Sequence, residues 1–127
     1  MSARGWLIIV SVLGVTGVAA GAMGAHALGA WVSPERVRIW ETGAQYHLVH
    51  AVVLLVLSLG SDARLGRWLS WARAAVLTGV VLFSFSLYAL VLLDQPVFAR
   101  VTPVGGLSLM LGWLLLGIGA WRSRDLG

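Results

Sequence analysis

The sequence predicts an all-α integral membrane protein, a four-helix bundle with both termini in the cytoplasm. Two observations concern composition: the 127 residues are 59% hydrophobic and only 11% charged, and the mean hydropathy is +0.90. A soluble domain is normally about 25% charged, so this chain has too few charged side chains for a water-exposed surface. The third observation is that the apolar residues form four runs, each long enough to cross a membrane as a helix.

The four predicted spans cover residues 5–28, 43–59, 72–93 and 104–121 of a single membrane domain. A spanning helix needs about 20 apolar residues, with a range of about 17 to 25, and the second run is only just long enough. The runs lack the alternation of a strand, and backbone amides in lipid must bond within their own segment. Each run is therefore predicted to be helical.

The first run also resembles a secretory signal, because Arg4 precedes an apolar stretch that ends in "AHA" at residues 25–27. A signal core is only about 7–15 residues long. This run is longer and rich in glycine, which favours a membrane span.

The connection before the second span predicts a short helix on the membrane surface, over residues 34–42. Ser33 can cap it and Pro34 suits its first position. Gly43 is expected to break the chain between this interfacial helix and the span.

Arginine placement predicts the orientation, and all nine basic residues are arginines. The six on the side of the termini and the middle loop are Arg4, Arg64, Arg67, Arg73, Arg122 and Arg124, and the three on the opposite side are Arg36, Arg38 and Arg100. Because cytoplasmic segments carry the excess of basic residues, both termini are expected in the cytoplasm. The arginines cluster at the ends of the apolar runs, which fits the charge bias of membrane topology better than a groove for nucleic-acid phosphates. Nucleic acid is therefore not an expected partner.

Tryptophans support the same layering, because indoles prefer the two membrane interfaces. Those predicted at the inner interface are Trp6, Trp68, Trp71 and Trp121, and those at the outer interface are Trp31 and Trp40. Trp113 lies in the middle of a span and is expected to pack between helices.

Small residues on the first and fourth spans predict close helix packing, because lipid tails offer no hydrophobic drive and small side chains let backbones approach. They are Gly14, Gly17, Gly21 and Gly24 in the first span, and Gly105, Ser108 and Gly112 in the fourth. The two faces can pack on each other or on a second copy of the chain. Self-association, or membership of a larger membrane complex, is therefore expected.

A weak internal repeat relates the two halves of the chain. Residues 16–28 and 78–90 are identical at five of thirteen positions. The repeat predicts two hairpins related by a pseudo-two-fold axis along the membrane normal.

Polar side chains gather in the outer half of the predicted bundle: His26, Tyr46, His47, His50, Ser84, Ser86, Tyr88 and Thr102. An ionisable group within a span normally faces the protein interior and finds a partner. One interpretation is a hydrogen-bond network that fixes the helix register. The other is a pocket for a lipid, a quinone or another small amphiphile.

Metal, cofactor and enzyme chemistry are not expected. Cysteine is absent, and the three-residue spacing of His47 and His50 converges poorly on a metal or haem iron. No serine neighbours a histidine in a nucleophile motif, and no close carboxylate pair offers acid–base catalysis. The expected role is that of a non-catalytic accessory or interaction protein in contact with membrane lipids.

Five motifs, spread over all four spans, carry a resemblance to a known family: "GAMGAHAL" at residues 21–28, "WETGAQYHLVHA" at 40–51, "LFSFSLY" at 82–88, "TPVGG" at 102–106 and "GW" at 112–113. They resemble the small membrane proteins known as domain of unknown function 423, which are related to eukaryotic transmembrane protein 256. The resemblance implies four membrane helices, in bacteria in the inner membrane, without an established activity. The positions that match the family pattern are His26, Tyr46, His50, Ser84, Ser86, Tyr88, Thr102, Pro103, Gly105 and Gly106. The chain departs from the pattern at His47, where another polar residue is usual, and at Phe85, where glycine is usual.

Overall fold

The computed structural model describes residues 1–60 and 65–123, and in this part of the chain four helical segments are long and apolar enough to cross a membrane. Their helices are α1 (Ala3–His26), α2 (Pro34–Leu59), α3 (Arg67–Val80), α4 (Ser86–Leu93) and α5 (Thr102–Arg122). A π-helical turn, Val81–Phe85, joins α3 to α4 within the third segment, and short 3-10 turns lie at Leu28–Ala30 and Pro96–Arg100. The predicted all-α bundle of four membrane helices is confirmed.

The second segment differs from the prediction, because α2 runs without interruption from Pro34 to Leu59. Its start agrees with the sequence: the Ser33 hydroxyl accepts a hydrogen bond from the Arg36 amide at 3.3 Å. The expected break at Gly43, and with it a separate helix over residues 34–42, is wrong. Glycine costs a helix only about 1 kcal/mol relative to alanine, so it does not end one by itself. Gly43 instead makes room for a neighbour, since a Cβ there would lie 2.9 Å from Tyr88 Cε1.

The glycine face of α1 packs on α2, not on α5 as the sequence allowed. A Cβ on Gly17 would lie 2.8 Å from Leu48 Cδ2, and one on Gly24 would lie 3.0 Å from Trp40 Cδ1. Gly21 makes only an ordinary contact and Gly14 has no neighbour within 4 Å, so these two make no tight contact within the chain.

The small-residue face of α5 packs on α3 and on the π-helical turn. A Cβ on Gly105 would overlap the backbone nitrogen of Phe83, and one on Gly112 would lie 2.5 Å from Val76 Cγ2. The Ser108 hydroxyl donates to the Ala75 carbonyl at 2.8 Å. Gly79 on α3, which the sequence interpretation missed, faces Leu109 Cδ2 at 2.6 Å from its would-be Cβ. The small-residue faces therefore pack within the two helical hairpins, α1 with α2 and α3 with α5.

Two tryptophans have surroundings that the sequence did not predict. Trp40 is buried, and its indole Nε1–H donates to the Ala20 carbonyl at 2.7 Å, so it ties α2 to α1. Trp113 is 51% exposed at the edge of the space between α5 and α2, so it packs only partly between helices.

Arg73 is buried at the end of α2, which it closes by donating from Nη2 to the carbonyls of Leu57 at 2.7 Å and Gly60 at 3.2 Å. Its guanidinium also lies over the Trp6 ring, with Cζ 6.0 Å from the centroid. This arginine therefore stabilises the last turn of a helix, where backbone carbonyls lack partners.

Candidate functional site

The predicted polar cluster is divided in the structure into three separate groups. The His47 joint consists of Thr16, His47 and Tyr88; the His50 groove contains Tyr46, His50 and Trp113; the third group is the pair Ser86 and Thr102. His26 belongs to none of them, because it is exposed at the last residue of α1. The expected convergence of His26, His50 and Tyr88 is therefore wrong.

The His47 joint connects three helices through one fully buried imidazole. His47 Nδ1 lies 3.1 Å from the Tyr88 hydroxyl oxygen on α4, and Nε2 lies 3.4 Å from the Thr16 hydroxyl oxygen on α1. The Thr16 hydroxyl donates to the Val12 carbonyl at 2.7 Å. That bond leaves its oxygen to accept from Nε2–H, so the network assigns the Tyr88 hydroxyl as the donor to Nδ1. Both ring nitrogens thus face a partner.

A groove of about 360 Å³ runs along this joint, and its lining includes Thr16, His47 and Tyr88 together with Met23 and Phe85. It is open along the surface of the bundle, where lipid chains would lie. The imidazole itself has no exposed surface. A molecule in this groove would meet mainly apolar walls, with the buried joint at its floor.

The His50 groove lies on the other side of α2, against α5. His50 Nδ1–H donates to the Tyr46 carbonyl at 2.8 Å, and His50 Nε2 accepts from Trp113 Nε1–H at 3.4 Å. The space between the helices is about 340 Å³ and is also lined by Phe83 and Leu109. Tyr46 is 42% exposed, and its hydroxyl has no hydrogen-bond partner among the described residues. This groove combines an accessible phenol and an accessible indole with apolar walls.

The third group fastens α4 to the start of α5. The Ser86 and Thr102 hydroxyl oxygens lie 2.7 Å apart; the Ser86 hydroxyl also lies 2.8 Å from the Phe83 carbonyl and the Thr102 hydroxyl 3.4 Å from the Phe98 carbonyl, so either side chain can donate to the other. Ser84, which the sequence placed in the same cluster, lies in the π-helical turn and is fully buried. Its hydroxyl has no partner within the part of the chain that the structure describes.

The sequence interpretation missed Thr16 and Trp113 as partners of the two histidines. Thr16 immediately precedes Gly17, which packs on α2. Its position next to a glycine of the predicted packing face was the sequence feature that could have indicated Thr16 as a partner. Trp113 lies near the middle of α5, at a depth comparable with His50 on α2. Across residues 1–60 and 65–123, no three histidine, aspartate or glutamate side chains converge in a geometry that would hold a metal ion.

Comparison with known proteins relates the chain to a family of membrane proteins. The model of the family described as "Protein of unknown function (DUF423)" matches residues 20–106. The chain is 37% identical over 127 residues to the UPF0382 inner membrane protein YgdD of Escherichia coli K12, covering all of this chain and 97% of that protein. It is 31% identical over 122 residues to the UPF0382 membrane protein YwdK of Bacillus subtilis, covering 91% and 94% of the two. No solved structure matches the chain.

Proposed function

Because the chain belongs to the family described as protein of unknown function (DUF423), whose relatives are named as inner membrane proteins, we propose that it is a non-catalytic accessory or interaction protein of the bacterial inner membrane. The observation that carries this proposal is how the two buried imidazoles are used. Acid–base chemistry needs a ring nitrogen free to exchange a proton with a substrate. In His47 and His50 all four ring nitrogens already face partners: three of these partners are side chains on other helices, and the fourth is the Tyr46 carbonyl in the adjacent turn of α2.

The orientation and the repeat belong to the same proposal. The sequence count of six arginines against three supports cytoplasmic termini; four of the six, Arg4, Arg67, Arg73 and Arg122, lie at one end of the described bundle, and Arg64 and Arg124 lie outside the described residues. The two halves act as hairpin units, supported by the dominant packing of α1 on α2 and of α3 on α5. Cysteines placed at residues 2 and 60 are expected to react with a membrane-impermeant thiol reagent only after the cells are opened. Labelling in intact cells would contradict the orientation.

The interaction surface that we propose is the outward face of α1. Val15 is 72% exposed and Val18 is 64% exposed, and no atom lies within 4 Å of a Cβ built on Gly14. A small residue on an exposed membrane helix lets another backbone approach closely. A second copy of the chain is the occupant that this face fits, because each copy presents the same flat stripe to the other.

Crosslinking tests this assembly directly, because the chain has no native cysteine. Val15→Cys is expected to give a disulfide-linked dimer in native membranes. Val49→Cys, which is 50% exposed on α2, is the control for random collision. Equal crosslinking at both positions, or none at Val15→Cys, contradicts the proposed surface.

The non-catalytic part of the proposal is tested by removing the hydrogen bond between His47 and Tyr88. Replacing both members of a buried hydrogen bond by apolar groups of similar shape is nearly neutral for stability. The double variant His47→Leu/Tyr88→Phe is therefore expected to fold and to keep its Val15→Cys crosslink. A folded double variant that loses the association would contradict the proposal.

A second candidate function is the binding of a lipid, a quinone or another small amphiphile in the His50 groove. It is favoured by one observation: the Tyr46 hydroxyl is unpartnered among the described residues and stands at a groove of about 340 Å³ beside the Trp113 indole. Native mass spectrometry of gently extracted protein is expected to show a bound amphiphile that His50→Leu and Tyr46→Phe both release. A ligand retained by both variants, or no ligand in the unaltered protein, excludes this groove as its site.

A further inference from the structure

Two arginines from different helices share one tryptophan ring at the end of the bundle where α3 begins and α5 ends. Arg67 Cζ lies 5.7 Å from the Trp68 ring centroid, and Arg122 Cζ lies 5.4 Å from the same centroid. Arg67 is also 5.3 Å from the Trp71 centroid. Cation–π contacts of this kind hold both guanidiniums against the same ring while leaving their N–H groups able to donate.

The two side chains line a cleft of about 280 Å³ between α3 and α5, here called the arginine cleft. Its walls include Gly66, Trp68 and Gly119. Gly119 brings the two helices together, because a Cβ there would lie 2.6 Å from Trp68 Cβ. The cleft is therefore built by close helix packing and is not a chance gap between surface side chains.

The positive charge of the arginine cleft favours the binding of an anion. In the described part of the chain no carboxylate pairs with Arg67 or Arg122, so the two positive charges on this ring are not neutralised by a side chain there. The first turn of α3 adds to this field: it contains no acidic residue, and no side chain caps its amides. Helix N-termini and arginine forks are both established ways of binding phosphate in proteins.

The geometry points to the arginine cleft as a binding site for the phosphate of an anionic phospholipid headgroup. Trp68 and Trp71 place the cleft at the level of the headgroups, where aromatic side chains prefer to lie. A basic cleft between membrane helices at this depth faces the lipid phosphates of its own leaflet. This site lies at the other end of α5 from Thr102, and it goes beyond the proposed function because it shares no residue with the His47 joint or the His50 groove.

The experiment is a native mass spectrometry titration of the full chain in detergent, with phosphatidylglycerol and phosphatidylcholine as the two probes. Preferential retention of phosphatidylglycerol is expected. Arg67→Gln and Arg122→Gln are each expected to weaken its binding by about ten- to hundredfold, as the loss of a charge-assisted hydrogen bond would. Both side chains are exposed, so the fold should survive, and circular dichroism checks this.

Arg4→Gln is the matched control, because it removes the same charge at the same end of the bundle outside the cleft. A diffuse surface charge contributes about fivefold or less to lipid binding, so this variant is expected to lose no more than that. Equal losses in all three variants would mean that only the general surface potential attracts the lipid, which overturns the site. Equal retention of the two lipids does the same.

Inorganic phosphate separates the two sources of the anion. A headgroup site also uses contacts with the glycerol and acyl chains, so free phosphate at the lipid concentration is expected to displace little phosphatidylglycerol. Complete displacement would assign the cleft to a soluble phosphate instead and overturn the lipid proposal. None of these outcomes affects the crosslinking test of the proposed function, so the two can fail separately.

Discussion

The adjacent glycines Gly105 and Gly106 test how closely α5 packs against the π-helical turn between α3 and α4. A Cβ on Gly105 would overlap the backbone nitrogen of Phe83 and lie 2.6 Å from the carbonyl carbon of Leu82. A Cβ on Gly106 would first meet Phe83 Cδ2, at 3.7 Å, which is an ordinary van der Waals distance. Replacing each by alanine therefore makes the same chemical change in two different environments.

The expected magnitudes follow from these distances. Alanine in a helix gains about 1 kcal/mol over glycine, and Gly106→Ala should keep most of that gain. Overpacking typically costs about 1–3 kcal/mol, and Gly105→Ala belongs at the upper end because the obstacle is backbone in the π-helical turn. A side chain can rotate away, but that turn can only move as a unit with α3 and α4. Gly105→Ala is therefore expected to lose about 2 kcal/mol net, so the two neighbours differ by about 3 kcal/mol.

The measurement is the free energy of unfolding in mixed micelles titrated with sodium dodecyl sulfate, followed by circular dichroism. Gly106→Ala serves as the control for helix propensity and for handling of the protein. If the two alanine variants unfold within about 0.5 kcal/mol of each other, the close approach of α5 to the turn is not a packing constraint and the reasoning fails.

Three further predictions concern single side chains. Tyr88→Phe removes the donor to the buried His47 Nδ1 and should lower the free energy of unfolding by about 1 kcal/mol. The control Tyr46→Phe removes an exposed hydroxyl and should leave the free energy of unfolding unchanged. Equal effects of the two variants would count against the His47 joint. Trp40→Phe removes the indole bond to the Ala20 carbonyl and should cost about 1–2 kcal/mol in the same titration, so an unchanged midpoint would contradict that role. Metal analysis of the purified protein should find no stoichiometric zinc, iron or haem, and one clear equivalent would refute the expectation.

The depth of each polar residue could be read from the sequence, but its direction could not. Helical rise is about 1.5 Å per residue, so the chain length from a loop fixes how deep a histidine lies. His47 and His50 are three residues apart, which places them about 60° apart around the axis of α2. That angle is enough for His47 to meet α4 and α1 while His50 meets α5. One predicted cluster therefore became separate groups.

Glycine was ambiguous for a related reason. Its single hydrogen permits a helix end, a close helix contact or an open surface, and the sequence does not distinguish among them. At Gly43 the neighbour is Tyr88 and the helix continues, at Gly105 it is the backbone of another segment, and at Gly14 no neighbour is within reach.

The sequence by itself determined that the chain crosses the membrane four times as helices. Bilayer thickness sets the length of an apolar run, and the absence of water forces its backbone to bond internally, so these properties are local. Only the tertiary structure decided that α1 pairs with α2, that the two imidazoles serve different interfaces and that Arg67 and Arg122 meet over Trp68. Those outcomes depend on the rotation of each helix about its own axis, which is fixed by packing between segments distant in the chain.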